Sequence, residues 1–274
     1  MHNQGTMLSE HVLERDGCKI HYWLAGPEGR PFVVLTHGAA LDHQMFAAQI
    51  APLAKNYRIL LWDVRGHGVS QPIGNEFSIR KAAADLIALL DTLGVKKAVL
   101  VGHSMGGIIA QEVVFHYPER VIALAIVGSE CITFGISFLD AWMMMLTTSF
   151  LFFNTPESSR LLISCATGIK TQTQIYAYNT LKKISHQNIM TIWQELVSCL
   201  HYERDYRISH PLLLTHGEYD NWGNIKQTMP FWAARDSQCR FVIIPLAGHN
   251  ANQDNPPMFN QVLLDFLHAN VPLS

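Results

Sequence analysis

The sequence predicts an α/β fold: a doubly wound, mostly parallel sheet carrying one helical insertion. Three observations predict it. Short apolar runs alternate with helical patterns along most of the chain, which implies parallel strands joined by helical crossovers. The alternation stops between residues 131 and 209 and then resumes. Finally, Gly102-His103-Ser104-Met105-Gly106 stands between the apolar run Lys97 to Val101 and a helical stretch from Met105 to His116. A serine in that setting occupies a sharp strand-to-helix turn, with glycines where a Cβ would collide with its neighbours.

The elements follow in order. His11 to Gly17 and Cys18 to Leu24 read as a hairpin turned at Asp16-Gly17. Pro31 to Thr36 is a buried strand ending in His37-Gly38, and Tyr57 to Trp62 is a second, followed by Asp63-Val64-Arg65-Gly66-His67-Gly68. Asp63 reads as ordering this turn together with Arg65. Ser78 is a helix N-cap; Ile79, Ala82, Leu86, Leu89 and Leu93 mark one helical face, and Gly94 stops it. After the serine turn and its helix, Pro118 ends that helical region and Val121 to Val127 is the next strand. Beyond the insertion come a strand at Pro211 to Thr215, a helix at Asn224 to Ala234, a strand at Arg240 to Ile244 and a closing helix at Pro256 to Ala269, with Pro257 in its first turn. The division expected is a core of residues 1–130 and 210–274 and a helical cap of residues 131–209. The cap should lie over the C-terminal ends of the strands, where open α/β sheets bind ligands.

Composition excludes several classes. Of 274 residues, 49% are hydrophobic and 15% charged, enough for a large core and against disorder. Net charge is −2 with no basic run, so no nucleic-acid partner is expected. The five cysteines form an odd set without C-x-x-C, which fits free thiols in a reducing compartment. The polar stretch from Met1 to Asp16 has no signal-peptide pattern, and the longest apolar run, Leu139 to Phe153, is short and interrupted by Asp140 and Thr147-Thr148-Ser149. A cytoplasmic protein without a membrane span is the expectation. Dinucleotide, P-loop and H-E-x-x-H patterns are missing, and His201, His210 and His216 lack metal-ligand spacing. Neither a metal nor a cofactor is expected.

The chemistry centres on Ser104. A hydroxyl needs a base, and among 14 histidines His249 follows the last strand in Ala247-Gly248-His249-Asn250. The base needs an acid to fix its tautomer. Asp220 follows the preceding strand, and Glu130, after the strand beyond the serine turn, is the competitor. The oxyanion needs backbone donors, which the positions of Met105 and Ala39 would supply.

His37-Gly38, Asp63-x-Arg65-Gly66-His67-Gly68-x-Ser70, Gly102-x-Ser104-x-Gly106-Gly107, Gly217-x-x-Asp220 and Gly248-His249 occur in that order. With them the chain resembles the α/β-hydrolase superfamily, over its whole length outside the cap. Within that superfamily it is similar to the small capped group of enol-lactonase-like esterases, carbon–carbon bond hydrolases and cofactor-free haloperoxidases. One departure is Trp222-Gly223 after the acid, where proline or an aliphatic pair is common. The resemblance implies a serine hydrolase with the triad Ser104, Asp220 and His249, acting on an ester, thioester or lactone of a mainly apolar small molecule. Carbon–carbon hydrolysis or perhydrolysis with the same triad, and a small-molecule receptor on this fold, are the alternatives. Cap residues Phe138, Trp142, Met145 and Trp193 are the candidates for contacting substrate.

Overall fold

Eight strands form one sheet, in the order β1-β2-β4-β3-β5-β6-β7-β8. The structure, a computed structural model, describes residues 8–135 and 155–273. The strands are β1 (Ser9–Arg15), β2 (Cys18–Ala25), β3 (Phe32–Thr36), β4 (Arg58–Trp62), β5 (Ala98–His103), β6 (Val121–Val127), β7 (Leu212–Gly217) and β8 (Cys239–Ile244). Only β1–β2 and β2–β4 pair antiparallel; the pairs from β4 through β3, β5, β6 and β7 to β8 are parallel. Parallel strands bury both faces, and for that reason β3, β4, β5 and β7 read as continuous apolar runs without alternation.

Helices cover the sheet on both sides. Residues of α2 (Ile79–Thr92), α3 (Met105–His116) and α7 (Ile225–Arg235) join one core with Val34, Leu60, Leu100, Leu124 and Leu214. Residues of α1 (Ala47–Leu53) and α9 (Pro256–Asn270) join the opposite core with Val33, Leu35, Ile59, Val99 and Leu213. Neighbouring residues of one strand thus enter different cores, as the two-residue period of a strand demands. Ser78 caps α2 as expected, its side chain accepting from Lys81 N.

Among the described residues, three helices stand between β6 and β7: α4 (Pro156–Thr167), α5 (Thr171–Leu181) and α6 (His186–Ser198). Ile163, Leu181, Ile184 and Ile189 from this region pack with Ala40 of the loop after β3, and Trp193 and Trp222 pack against that cluster. Two short elements have no clear sequence pattern. They are α1, which contains Pro52, and α8 (Ala251–Asp254).

The turn after β4 differs from the sequence expectation. Asp63 does order it, accepting from Val69 N at 2.9 Å, but its second oxygen accepts from His43 N at 2.7 Å and His43 Nδ1 at 2.8 Å. Arg65 turns the other way. Its guanidinium is fully buried and donates to both oxygens of Asp85 on α2, at 2.6 and 2.9 Å. The two-pronged geometry decides the pairing, because a guanidinium satisfies a carboxylate best through two parallel bonds. Asp85 also accepts from Arg15 at 3.0 Å, so one carboxylate joins β1, α2 and the turn. Asp85→Ala should therefore lower stability by about 3–5 kcal/mol, the usual consequence of stranding a buried charge. Urea unfolding checks it: the midpoint should fall with the slope unchanged, and a midpoint near wild type would show that Arg65 needs no partner.

Candidate active site

Ser104 sits in a sharp backbone turn, at φ 49° and ψ −116° between β5 and α3. A non-glycine residue at positive φ is strained and needs support from its surroundings. Ser104 N donates to Val127 O at 2.8 Å, and Ser104 O accepts from Gly107 N at 2.8 Å and Ile108 N at 3.1 Å. The flanking glycines are sterically required. A Cβ on Gly102 would stand 2.2 Å from Gly106 O, and one on Gly106 would stand 2.1 Å from Thr36 O. Both obstacles are backbone atoms and cannot swing aside.

Parallel pairing brings the loops after β3, β5, β7 and β8 to one sheet edge. His249 and Asp220 meet there. His249 Nδ1 lies 3.1 and 3.2 Å from the two oxygens of Asp220, and both residues are buried. Burial alone would raise the Asp220 pKa. The His249 imidazole and the Trp222 N–H, which donates to Oδ1 at 2.9 Å, outweigh burial and hold the carboxyl below its usual range. An ionised carboxylate only accepts. The His249 proton therefore sits on Nδ1, and Nε2 keeps the lone pair.

Glu130 has a different task. Its Oε1 accepts from Asn224 N at 3.2 Å, on the loop that follows Asp220. Of the two candidate acids, the structure brings Asp220 to His249.

Ser104 and His249 line one cavity of about 390 Å³, mouth included. Among the described residues Ser104 Oγ makes no hydrogen bond, so its hydroxyl is not committed elsewhere. Ala39 lines the same cavity. Neither Ala39 N–H nor Met105 N–H has an acceptor among the described residues, and Met105 opens α3, where amide dipoles favour negative charge. His37 sets the loop that holds Ala39. Its Nε2 accepts from Val64 N at 3.0 Å, so its Nδ1–H donates to Gly38 O at 2.8 Å.

Of the four proposed substrate contacts, Trp193 lines the cavity; Phe138, Trp142 and Met145 lie outside the described residues. Two further residues at the site had not been singled out for it. Trp222 stacks on the His249 ring, with centroids 5.2 Å apart and an interplanar angle of 20°, and Trp193 meets Trp222 edge-on at 6.0 Å. The Trp222-Gly223 departure from the family pattern was the available signal. Asp254, buried, accepts from Gly248 N at 2.8 Å beside the histidine, and from Ile169 N, Lys170 N and Thr173 Oγ1 at the start of α5, at 2.9, 3.2 and 2.8 Å. Its sequence setting, Asn252-Gln253-Asp254-Asn255, reads as a polar loop and carries no such signal.

The fold and this turn define a class: a doubly wound α/β protein with a serine on a strand-to-helix elbow. The family model for the alpha/beta hydrolase fold matches residues 31–256, and the chain belongs to that family. Human "Epoxide hydrolase 4" is 24% identical over 282 residues, covering 93% of this chain and 77% of that protein. "3-oxoadipate enol-lactonase 1" of Acinetobacter baylyi is 31% identical over 118 residues, covering 43% and 44%. Among solved structures, a thermophilic esterase from Thermogutta terrifontis matches with a TM-score of 0.82 at 21% identity, over 97% of this chain and 100% of that one. An enol-lactonase from Burkholderia xenovorans matches with a TM-score of 0.73 at 21% identity, over 94% and 100%. These structural likenesses establish the fold. Family membership supports a hydrolytic activity on small molecules. No described helix is long and apolar enough to cross a membrane.

Three histidines around the site are buried and neutral. Burial lowers the pKa of His37, and it takes His103 well below the usual histidine value. Burial, together with the neighbouring His37, takes His67 to about 3. His67 Nε2 has no partner among the described residues. A histidine whose pKa is lower folded than unfolded leaves the unfolded state holding more protons below about 6.5. Its contribution is intact above that pH and is lost progressively as pH falls toward 3. The melting temperature should thus drop between pH 7.5 and pH 5, and His67→Gln should shrink that drop. An equal drop in both proteins, measured by calorimetry, would contradict this assignment.

Proposed function

We propose that this chain is a serine hydrolase that cleaves an ester, thioester or lactone of a mainly apolar small molecule through an acyl-enzyme on Ser104. One observation carries the reading: a serine held at positive φ faces the same cavity as a histidine whose Nδ1 is bound by an ionised aspartate. In this reading His249 Nε2 takes the Ser104 proton as Oγ attacks the carbonyl carbon. Asp220 keeps the imidazole oriented and stabilises it once charged. The Ala39 and Met105 amides donate to the oxyanion, where such preorganised donors are worth most. The leaving group takes the proton from His249. Water, deprotonated by the same nitrogen, then releases the acid and restores Ser104. The residues 131–209 act as a cap that roofs the cavity over the core of 1–130 and 210–274.

The nucleophile also bears on epoxides, the substrates for which several relatives are named. Serine attack on an epoxide carbon would leave an ether, with no carbonyl for water to attack. Attack on an ester or lactone leaves an acyl ester that water can cleave. The side chain at the elbow therefore favours carbonyl substrates.

Ser104→Ala should lower kcat on an activated ester by about three orders of magnitude or more, with the melting curve unchanged. Near-wild-type turnover by the folded variant would overturn the reading. In parallel, Asp220→Asn should cost most of the activity by favouring the wrong imidazole tautomer, while Glu130→Gln should cost little. Steady-state kinetics of the two variants decide which carboxylate is the acid, and the reverse order of losses would move that role to Glu130.

A further inference from the structure

Among the described residues, the wall of the cavity carries no positive charge that could hold an anion. Leu41, Ile163, Leu181, Leu196, Trp193 and Trp222 form most of it beside Ser104 and His249; Thr167 and Asn250 also line it, but Thr167 Oγ1 donates to Ile163 O and Asn250 Nδ2 to Gln253 Oε1, each at 2.7 Å. The fixed charge closest to the chemistry is negative: Asp220, ionised beside His249. His103 also lines the cavity, but burial, and next the nearby His249, keep it neutral. Among the described residues, no lysine or arginine lines the cavity. Lys183 Nζ is 2.9 Å from Asp42 Oδ2, Arg160 is 3.7 Å from Glu157 on the same helix, and Arg235 is 2.9 Å from Asp236. The stretch 136–154 holds Asp140 and no lysine, arginine or histidine. Wherever that stretch lies, it adds no positive charge.

We propose that the site selects by charge: it accepts an uncharged acyl group and rejects one that bears a carboxylate. This proposal rests on the serine-hydrolase reading and adds the substrate class to it. A carboxylate entering the cavity would lose its hydration without gaining a cation, and an unpaired buried charge is among the most unfavourable arrangements in a protein. The Ala39 and Met105 amides do not relieve it, because the reacting carbonyl occupies them. A neutral acyl chain meets the opposite situation. It replaces water against leucine and isoleucine side chains and against the edge-to-face pair of Trp193 and Trp222, whose rings offer broad apolar contact.

Three p-nitrophenyl esters with one leaving group test the proposal on the wild-type protein: the hexanoate, the adipate monoester, and the same adipate with its free acid methylated. The first and third are neutral, the second is anionic at pH 7.5, and the third is slightly larger than the second. The expected kcat/KM for the anionic ester is at least about 100-fold below that of its methyl ester. The gap should shrink by up to about tenfold for each unit that pH is lowered, because the protonated acid, with a pKa of about 4.3 by analogy with glutamate, is the form that enters. Comparable rates for the acid and its methyl ester, within about fivefold at pH 7.5, would overturn selection by charge. So would a gap that does not change with pH, since that result assigns the discrimination to shape. Failure of the underlying reading looks different: none of the three esters is turned over, or Ser104→Ala turns them over as fast as wild type, and the proposal falls with it.

Discussion

The backbone at Ser104 is the constraint around which the rest of the site is arranged. A residue held there stores on the order of 1–3 kcal/mol of strain, and three neighbours keep it in place. β6 supplies Val127 O to its N–H, the first turn of α3 supplies two N–H groups to its carbonyl, and β3 presses Thr36 O against Gly106. These contacts depend on the pairing of Thr36 with Gly102 and of Gly102 with Ile126 across β3, β5 and β6. The reactive geometry is thus a property of the sheet register. It places a hydroxyl beyond the strand ends, beside the free amide of Met105.

Two buried carboxylates then join the helices between β6 and β7 to the loops that the proposed chemistry uses. Asp254 binds the start of α5 and Gly248 with one side chain, and Asn250 N donates to Thr167 O at the end of α4. Asp42, in the loop after β3, accepts from Tyr176 Oη at 2.8 Å and pairs with Lys183. Burial, and next the facing Asp42 carboxylate, push the Tyr176 hydroxyl well above its usual pKa, so it stays protonated and donates. The histidine loop and the loop carrying Ala39 are each tied to α5 or the segment after it. A change in the helical region would reach both without touching substrate.

Much of this was legible in the sequence, for identifiable reasons. β3, β4, β5, β6 and β7 announce themselves because strands buried on both faces need unbroken apolar runs, and Ser78 announces α2 because a cap needs a side-chain acceptor. Ser104, Asp220 and His249 were legible because each directly follows a strand whose end lies at one edge. What was hidden depends on distance in space. Arg65 finds Asp85 on a helix and not its neighbour Asp63, and Asp254 looks like part of a polar loop until α5 is packed on it. α1 and α8 are short and lack the apolar periodicity that marks a helix. Trp222 stood out as a departure, but its stacking on His249 required the folded loop.

The central claim is that a covalent acyl group passes through Ser104. Rapid mixing of the wild-type protein with an excess of a p-nitrophenyl ester, an acid quench within the first turnovers, proteolysis and mass spectrometry test it directly. The account predicts one acyl increment, on the peptide that contains Gly102-His103-Ser104-Met105-Gly106 and at the serine itself, lost as turnover is allowed to finish. An unmodified peptide during active turnover, or the increment on another residue, would contradict it.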